Sequence, residues 1–234
     1  MFQIQDYFDL SPLKKNGHEA LFDGVDKVWE VLPRIKTYLT AYLEKNPPQI
    51  LGEVDPSAKI GAQVHIGKGT VVEAGAVIKG PAWIGENCEI RSGAYIRDFV
   101  IVGDECVIGN SSELKNSILI HHVQVPHFNY VGDSVLGTGT HLGAGVILSN
   151  FKLTGDGITI KGGGESFATG LRKFGAIIGD PVEVGCHAVL NPGSLIGPRS
   201  MIYSGVQWRG VLDADQIVKG TMTYSIRPKT KSKE

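Results

Sequence analysis

From Val54 the chain runs in sixes: VDPSAK, IGAQVH, IGKGTV, VEAGAV, IKGPAW, IGENCE, IRSGAY, IRDFVI, VGDECV, IGNSSE and LKNSIL, and Ile120 opens a twelfth. Each opens on Val, Ile or Leu, which together make up 61 of 234 residues. Twelve consecutive hits by chance would occur about once in 10⁷ trials, so the pattern is a hexapeptide repeat. The fifth residue is small or β-branched almost throughout (Ala58, Val64, Thr70, Ala76, Cys88, Cys106, Ser112). The pattern resumes at Leu136 and Leu142, and again at Ile178, Val184, Leu190, Ile196 and Ile202. Period six suits neither an amphipathic helix nor a simple alternating strand. It suits a solenoid whose coil is three hexads, with the aliphatic residue pointing inward. Positions 18 apart then stack as parallel strands: Val54, Val72, Ile90 and Ile108; Ile60, Ile78, Ile96 and Leu114; Ile66, Ile84, Val102 and Ile120. Glycine at position two or four of a hexad suits corners with φ > 0.

Three stretches depart from the repeat. Residues 1–50 read as a helical segment, with Val28, Leu32, Ile35, Leu39 and Leu43 on one stripe and Pro47-Pro48 as its end. Phe151–Gly175 is a Gly-rich polar insertion, yet Leu148 to Ile178 is a whole number of hexads, so the register should survive it. It is expected to be a lid or an inter-subunit arm. The solenoid domain is therefore 51–212 with its insertion at 151–175, and 213–234 is a C-terminal tail ending in the solvated, cation-rich RPKTKSKE.

Composition narrows the classes. Lys+Arg is 23 against Asp+Glu 24, for a formal net charge of -1, which speaks against nucleic acid or a membrane surface as partner. No apolar run reaches the ~20 residues of a membrane span, and the first residues lack the order of a signal peptide. Cys88, Cys106 and Cys186 cannot all pair, and none forms CxxC. A cytoplasmic location is the expectation. The 31 glycines fit a chain built of many similar turns.

Two features can carry chemistry. Lys79, Arg97 and Lys115 are 18 apart, so they form a cationic ladder on one face. Like charges on adjacent strands repel unless an anion or carboxylates intervene. Spacing alone leaves open a solvated face, with Glu113 and Asp98 nearby, or an anion site. The second feature is IHHVQVPHFNYVGDSV at 120–135, where the hexad fails and His121, His122 and His127 gather beside Tyr130.

The strings PHFNYVGDSVLGTGTHLGAG, LSNF and RKFGAIIGDPVEVG together resemble the acetyltransferase half of the bifunctional N-acetylglucosamine-1-phosphate uridyltransferase/glucosamine-1-phosphate acetyltransferases. The resemblance covers roughly residues 91–210 and implies an all-β solenoid of the left-handed parallel β-helix type, here with a short helical N-terminal segment. It implies a homotrimer with active sites between prisms, and acetyl-CoA as co-substrate with no metal needed. By motif, His127 matches the catalytic base, and Glu113 is an orienting carboxylate near it. Tyr130, Arg97 and Lys115 match contacts to the substrate's phosphate, with Arg97 two hexads before GNSSELK. Asn150 matches a contact to the amino sugar, Lys173 a second phosphate-binding lysine, and Cys186 and Ser204 the acetyl-CoA contacts. His141 departs from the family's asparagine, and the interval from Asn150 to Lys173 is longer than usual. The glycine-rich phosphate loop of a uridyltransferase does not occur in residues 1–50.

The expected function is acetyl transfer from acetyl-CoA to the amine of an amino-sugar phosphate, such as glucosamine-1-phosphate, or of a UDP-linked amino sugar. Two alternatives stay open. One is a non-catalytic β-helix that binds a sugar nucleotide as regulator or scaffold. The other is a γ-type carbonic anhydrase, whose zinc needs three histidines, two of them five residues apart as His122 and His127 are.

Overall fold

The computed structural model describes residues 2–221 and 225. The cationic stretch 227–234 lies outside them. The hexads wind into a parallel β-solenoid of three sheets. Face I has nine strands, from Glu53–Val54 to Ile217–Val218. Face II has eight, from Lys59–Ile60 to Gln207–Trp208, and face III has eight, from Val64–Ile66 to Val211–Leu212. Coiling thus continues past residue 212, because Ile217 and Val218 pair with Met201 and Ile202. The aliphatic first residue and the small fifth residue of each hexad fill one continuous core, from Val64 and Ile66 to Ile202 and Val206. Each buried Val, Leu or Ile contributes about 1.5–3 kcal/mol, so the columns supply most of the driving force.

The glycines divide by position. Gly75, the fourth of its hexad, has φ 73° and turns the corner. Gly103, the second of its hexad, is needed for close approach, since a Cβ there would collide with the carbonyl of Ile120 in the next coil.

The apparent break at 120–135 is not a break. Neighbouring coils are 18 residues apart at Val71↔Glu89 and 17 apart at Val107↔Gln124, Glu113↔Tyr130 and Ile118↔Val135. Two steps, Leu114 to Leu119 and Val131 to Leu136, are five residues long. Leu119, not Ile120, therefore stacks on Val102. The missing residue is absorbed at the corner between faces II and III, where Asn116 (φ 46°) and Asp133 (φ 49°) make tighter turns. The insertion leaves from this same corner, after Asn150, and the solenoid resumes at Ala176.

Residues 2–46 are short 3₁₀ pieces (Ile4–Asp6, Ser11–Asn16, His18–Phe22, Val28–Arg34) followed by one α-helix, α1 (Ile35–Lys45). The expected helical segment is thus mostly 3₁₀, because Pro12, Gly17, Gly24 and Pro33 interrupt it. Its predicted stripe is nevertheless buried in full. The stripe packs on the outward side of face III, against Trp83, Ile101, Ile118, Val135, Ile177 and Leu195. Strands such as AWI, VIV and AII are buried on both sides, hence apolar throughout. Among the described residues, the N-terminal layer covers face III.

The insertion is a β-hairpin, Thr159–Gly162 antiparallel to Glu165–Ala168. It buries Ile158 and Ile160 and sets Phe167 edge-on to Phe2 at 5.5 Å. It is seated on its own chain's N-terminal layer, where a lid or an inter-subunit arm was expected. The apolar residues at alternate positions of this segment anchor it.

Candidate functional site

The corner between faces I and II carries His127 at the end of strand Gln124–His127, in register with Asn110. Gly145 N donates to the His127 carbonyl, His187 N to that of Ala144, and Gly205 N to that of Cys186, at 2.9–3.0 Å. Asn110, His127, Ala144, Cys186 and Ser204 therefore form one column along this edge. The imidazole is exposed, and the neighbouring Phe128 is 60% exposed at φ 53°. Cys186 and Ser204 line a cavity of about 440 Å³ with His141, Gly143, Gly185 and Tyr203. His141 Nδ1 lies 2.9 Å from Glu183 Oε2 on face I beside it.

Asn129 was not singled out in the sequence. It occupies a core position that adjacent coils give to Ser112 and Val146, and it is 2% exposed. A buried amide is costly unless satisfied. Here its Oδ1 accepts from His127 N at 3.0 Å, and its Nδ2 donates to the Gly143 carbonyl at 2.8 Å. Asn129 thereby fixes the backbone that carries His127.

Face II holds the second group. Arg97 Nη1 donates to Glu113 Oε1 at 2.8 Å, and Lys115 Nζ lies 3.8 Å from Asp133 Oδ1. Asn116 Nδ2 donates to Asp133 Oδ1 at 2.9 Å, while Asn150 Nδ2 donates to Asp133 Oδ2 at 2.5 Å and to the Tyr130 hydroxyl at 3.2 Å. Burial, followed by the charges of Asp133 and Glu113, raises the Tyr130 hydroxyl above its ordinary value. The hydrogen bond to Glu113 holds the Arg97 guanidinium more firmly charged. A side chain at Gly132 would crowd both the Tyr130 hydroxyl and the Asn150 amide, so the glycine lets the ring lie across the face. Lys173 is exposed beside this group, bridged to Phe151, and Phe174 N donates to the Asn150 carbonyl at 2.9 Å.

The ladder is thus not an unrelieved stack of cations. Lys79 lies over the Tyr95 ring at 5.3 Å, and Arg97 and Lys115 each have a carboxylate. Glu113 is engaged by Arg97. Asp133, which sequence reasoning passed over, is the centre of the group: its side chain is 7% exposed and it meets three of the others. Its signal was the aspartate at a corner whose neighbours, Val131 and Ser134, are core residues.

The three histidines do not gather. His121 and His122 lie at the corner between faces III and I, at 4.0 and 3.9 Å from Glu105. Face I separates them from His127. Among the described residues there is no group of three or more His, Cys, Asp or Glu arranged to hold a metal.

The arrangement offers an exposed imidazole on an edge with a small-residue cavity, and on the adjoining face two cations, a tyrosine and an asparagine braced by buried Asp133. The chain is similar to several known proteins. The family model of the GMPPB C-terminal domain matches residues 78–164. A bifunctional sugar-1-phosphate nucleotidylyltransferase/acetyltransferase of Sulfurisphaera tokodaii is 31% identical over 188 residues, 80% of this chain and 46% of that protein. A putative uncharacterized acetyltransferase of Escherichia coli, YaiX, is 33% identical over 168 residues, 72% of this chain and 73% of that one. The acetyltransferase domain of PglB from Neisseria gonorrhoeae aligns over 78% of this chain and 62% of its own, with 16% identity and a TM-score of 0.31. The chain spans about half the length of the bifunctional relative. No described helix is long and apolar enough to cross a membrane.

Proposed function

The chain belongs to the hexapeptide-repeat acetyltransferases, and on that premise we propose that it moves an acetyl group from acetyl-CoA to the amine of an amino-sugar phosphate or nucleotide-linked amino sugar. The observation that carries this reading is the pairing of two groups on adjoining surfaces: the His127 edge with its Cys186–Ser204 cavity, and the Arg97–Lys115–Tyr130–Asn150 group. The small residues at Cys186 and Ser204 leave room for the pantetheine arm along the edge. Arg97 spends one donor on Glu113 and has others for a phosphate. Asn150, held by Asp133, presents its carbonyl oxygen to the sugar.

In the reaction, the neutral amine attacks the thioester carbonyl carbon. The C–N bond forms to give a tetrahedral oxyanion, and its collapse breaks the C–S bond so that CoA leaves as the thiolate. His127 takes the amine proton as general base, and the thiolate is reprotonated from the imidazolium or water. Corner backbone N–H groups stabilise the tetrahedral oxyanion. Anchoring the acceptor by its phosphate turns a bimolecular encounter into a positioned attack. Among the described residues the N-terminal layer leaves faces I and II free, and a homotrimer packed through them would wall the His127 edge with a neighbouring prism.

The test is release of free CoA from acetyl-CoA in the presence of a panel of amino-sugar phosphates and nucleotide-linked amino sugars. Wild type should turn over, and His127→Ala should fall by about 10²–10⁴-fold with acetyl-CoA affinity retained. His121→Ala and His122→Ala, one corner away, should change little. Equal losses in all three variants, or acceptor binding without any CoA release, would sink the assignment.

A further inference from the structure

The corner that carries His127 is closed differently from its neighbours. In the preceding coil Ser112 N donates to the Gly109 carbonyl at 3.2 Å, and in the next coil Val146 N donates to the Gly143 carbonyl at 3.3 Å. At the His127 corner Asn129 N turns instead to the Ser112 hydroxyl at 3.3 Å, and the Asn129 side chain closes the turn. Its Oδ1 accepts from His127 N at 3.0 Å, and Gly145 N donates to the His127 carbonyl at 3.0 Å. Both backbone groups of His127 are therefore tied down, although its imidazole is exposed.

The same amide reaches the other way. Asn129 Nδ2 donates to the Gly143 carbonyl at 2.8 Å, which turns that carbonyl toward the core. A trans peptide is planar and sets its N–H opposite its carbonyl, so the Ala144 N–H points outward at the His127 edge. Ala144 N donates to no group among the described residues. It is free to donate to an oxyanion forming beside His127. One buried side chain thus holds the base and this donor in a fixed relation.

Packing does not call for an amide here. Strand register puts Asn129 in the column of Ala76, Ala94, Ser112, Val146 and Ala188, smaller residues that fill the same place in other coils. A buried amide costs free energy unless its polar atoms find partners, so alanine or serine would close the coil more simply. We infer that Asn129 is a positioning residue for acetyl transfer. It holds the His127 backbone and the Gly143–Ala144 peptide at one spacing, so that base and oxyanion donor meet the same tetrahedral adduct. Asn129 lies behind the corner, 2% exposed, and acts only through these two groups. The role rests on the acetyl-transfer reading.

Steady-state CoA release by wild type, Asn129→Ala and Asn129→Ser tests it. Melting temperatures are recorded on the same samples, and rates are taken well below them. Asn129→Ser copies Ser112 of the preceding coil and serves if Asn129→Ala fails to fold. The value of kcat should fall about 10- to 100-fold, the effect of a misplacement near ~1 Å, while KM for acetyl-CoA and for the acceptor changes less than about threefold. In a His127→Ala background the same substitution should cost at least about threefold less than in wild type, because the base it positions is gone. A folded variant with unchanged kcat overturns the role. So does a rise in KM alone, an equal loss in both backgrounds, or the failure of both variants to fold. A wild type that releases no CoA overturns the acetyl-transfer reading and the role with it, whereas an active wild type with an equally active variant overturns the role alone.

Discussion

Replacing His18 with phenylalanine should change how the protein responds to acid. His18 is 2% exposed between the N-terminal layer and face III, against Tyr38, Tyr42 and Trp83. The Tyr38 hydroxyl donates to the Gly17 carbonyl at 3.0 Å, so the 3.0 Å contact from His18 Nδ1 is the imidazole donating to Tyr38. Nε2 then carries the lone pair, and it has no partner. A proton added there would be buried without an acceptor. Burial first, and His65 nearby second, pull the imidazole from 6.5 down to about 4, against a small opposing effect of Asp104. The folded value lies below the unfolded one, so the unfolded chain binds the proton more readily. The stabilisation is complete above pH 6.5 and is lost as pH falls through 6.5 towards 4. Between pH 7.5 and 4.5 this one group costs about 2.5 kcal/mol of stability at ~1.4 kcal/mol per unit. Urea unfolding of wild type and His18→Phe at both pH values reads it. At pH 7.5 the variant should be less stable by about 1 kcal/mol for the lost hydrogen bond. At pH 4.5 it should be the more stable of the two. Stability curves that stay parallel, within about 0.5 kcal/mol of a constant offset, would refute the buried neutral imidazole.

Asp180 acts in the opposite direction. Burial pushes its carboxyl from 3.8 up to about 6, despite hydrogen bonds from Asp9 N at 2.7 Å and Thr138 N, so it opposes folding as pH rises through that window. Asp180→Asn should therefore lose stability toward acid more steeply than wild type in the same titration. Asp133→Ala should remove the carboxylate that meets the Lys115 ammonium and accepts from the Asn116 and Asn150 amides, at a cost of about 2–3 kcal/mol in thermal unfolding. It should also weaken amino-sugar phosphate binding by calorimetry, while acetyl-CoA binding holds. Replacing 153–170 by a short linker removes Ile158 and Ile160 from the core, about 3–6 kcal/mol by burial, and should lower the melting temperature markedly. An unchanged melting temperature would restore the view of the segment as a lid or an inter-subunit arm.

The chain's six-residue period alone determined the solenoid, because each hexad encodes its own strand, corner and inward aliphatic residue without reference to distant sequence. The same arithmetic put Arg97 and Lys115 on one face, since stacking follows directly from period. The motif strings picked out His127, Tyr130, Asn150, Lys173, Cys186 and Ser204. The structure sets His127, Cys186 and Ser204 on one edge, and Arg97, Lys115, Tyr130 and Asn150 on the adjoining face with Lys173 beside it. What the period could not decide was register where one residue is missing. Ile118, Leu119 and Ile120 are three aliphatics in a row, and any of them satisfies a local rule. Pairing of Leu119 with Val102 and Leu136 chooses among them, and that choice carries His121 and His122 to one corner and His127 to another. Asp133 and Asn129 were equally illegible, because a polar residue inside a coil acquires its value only from the partners that neighbouring coils bring to it. The covering of face III was written in strands apolar on both sides, but a six-residue rule scores only the inward one. That residues 2–46 and the hairpin close face III, among the described residues, is a property of the packed chain, because it depends on contacts between segments far apart in the sequence.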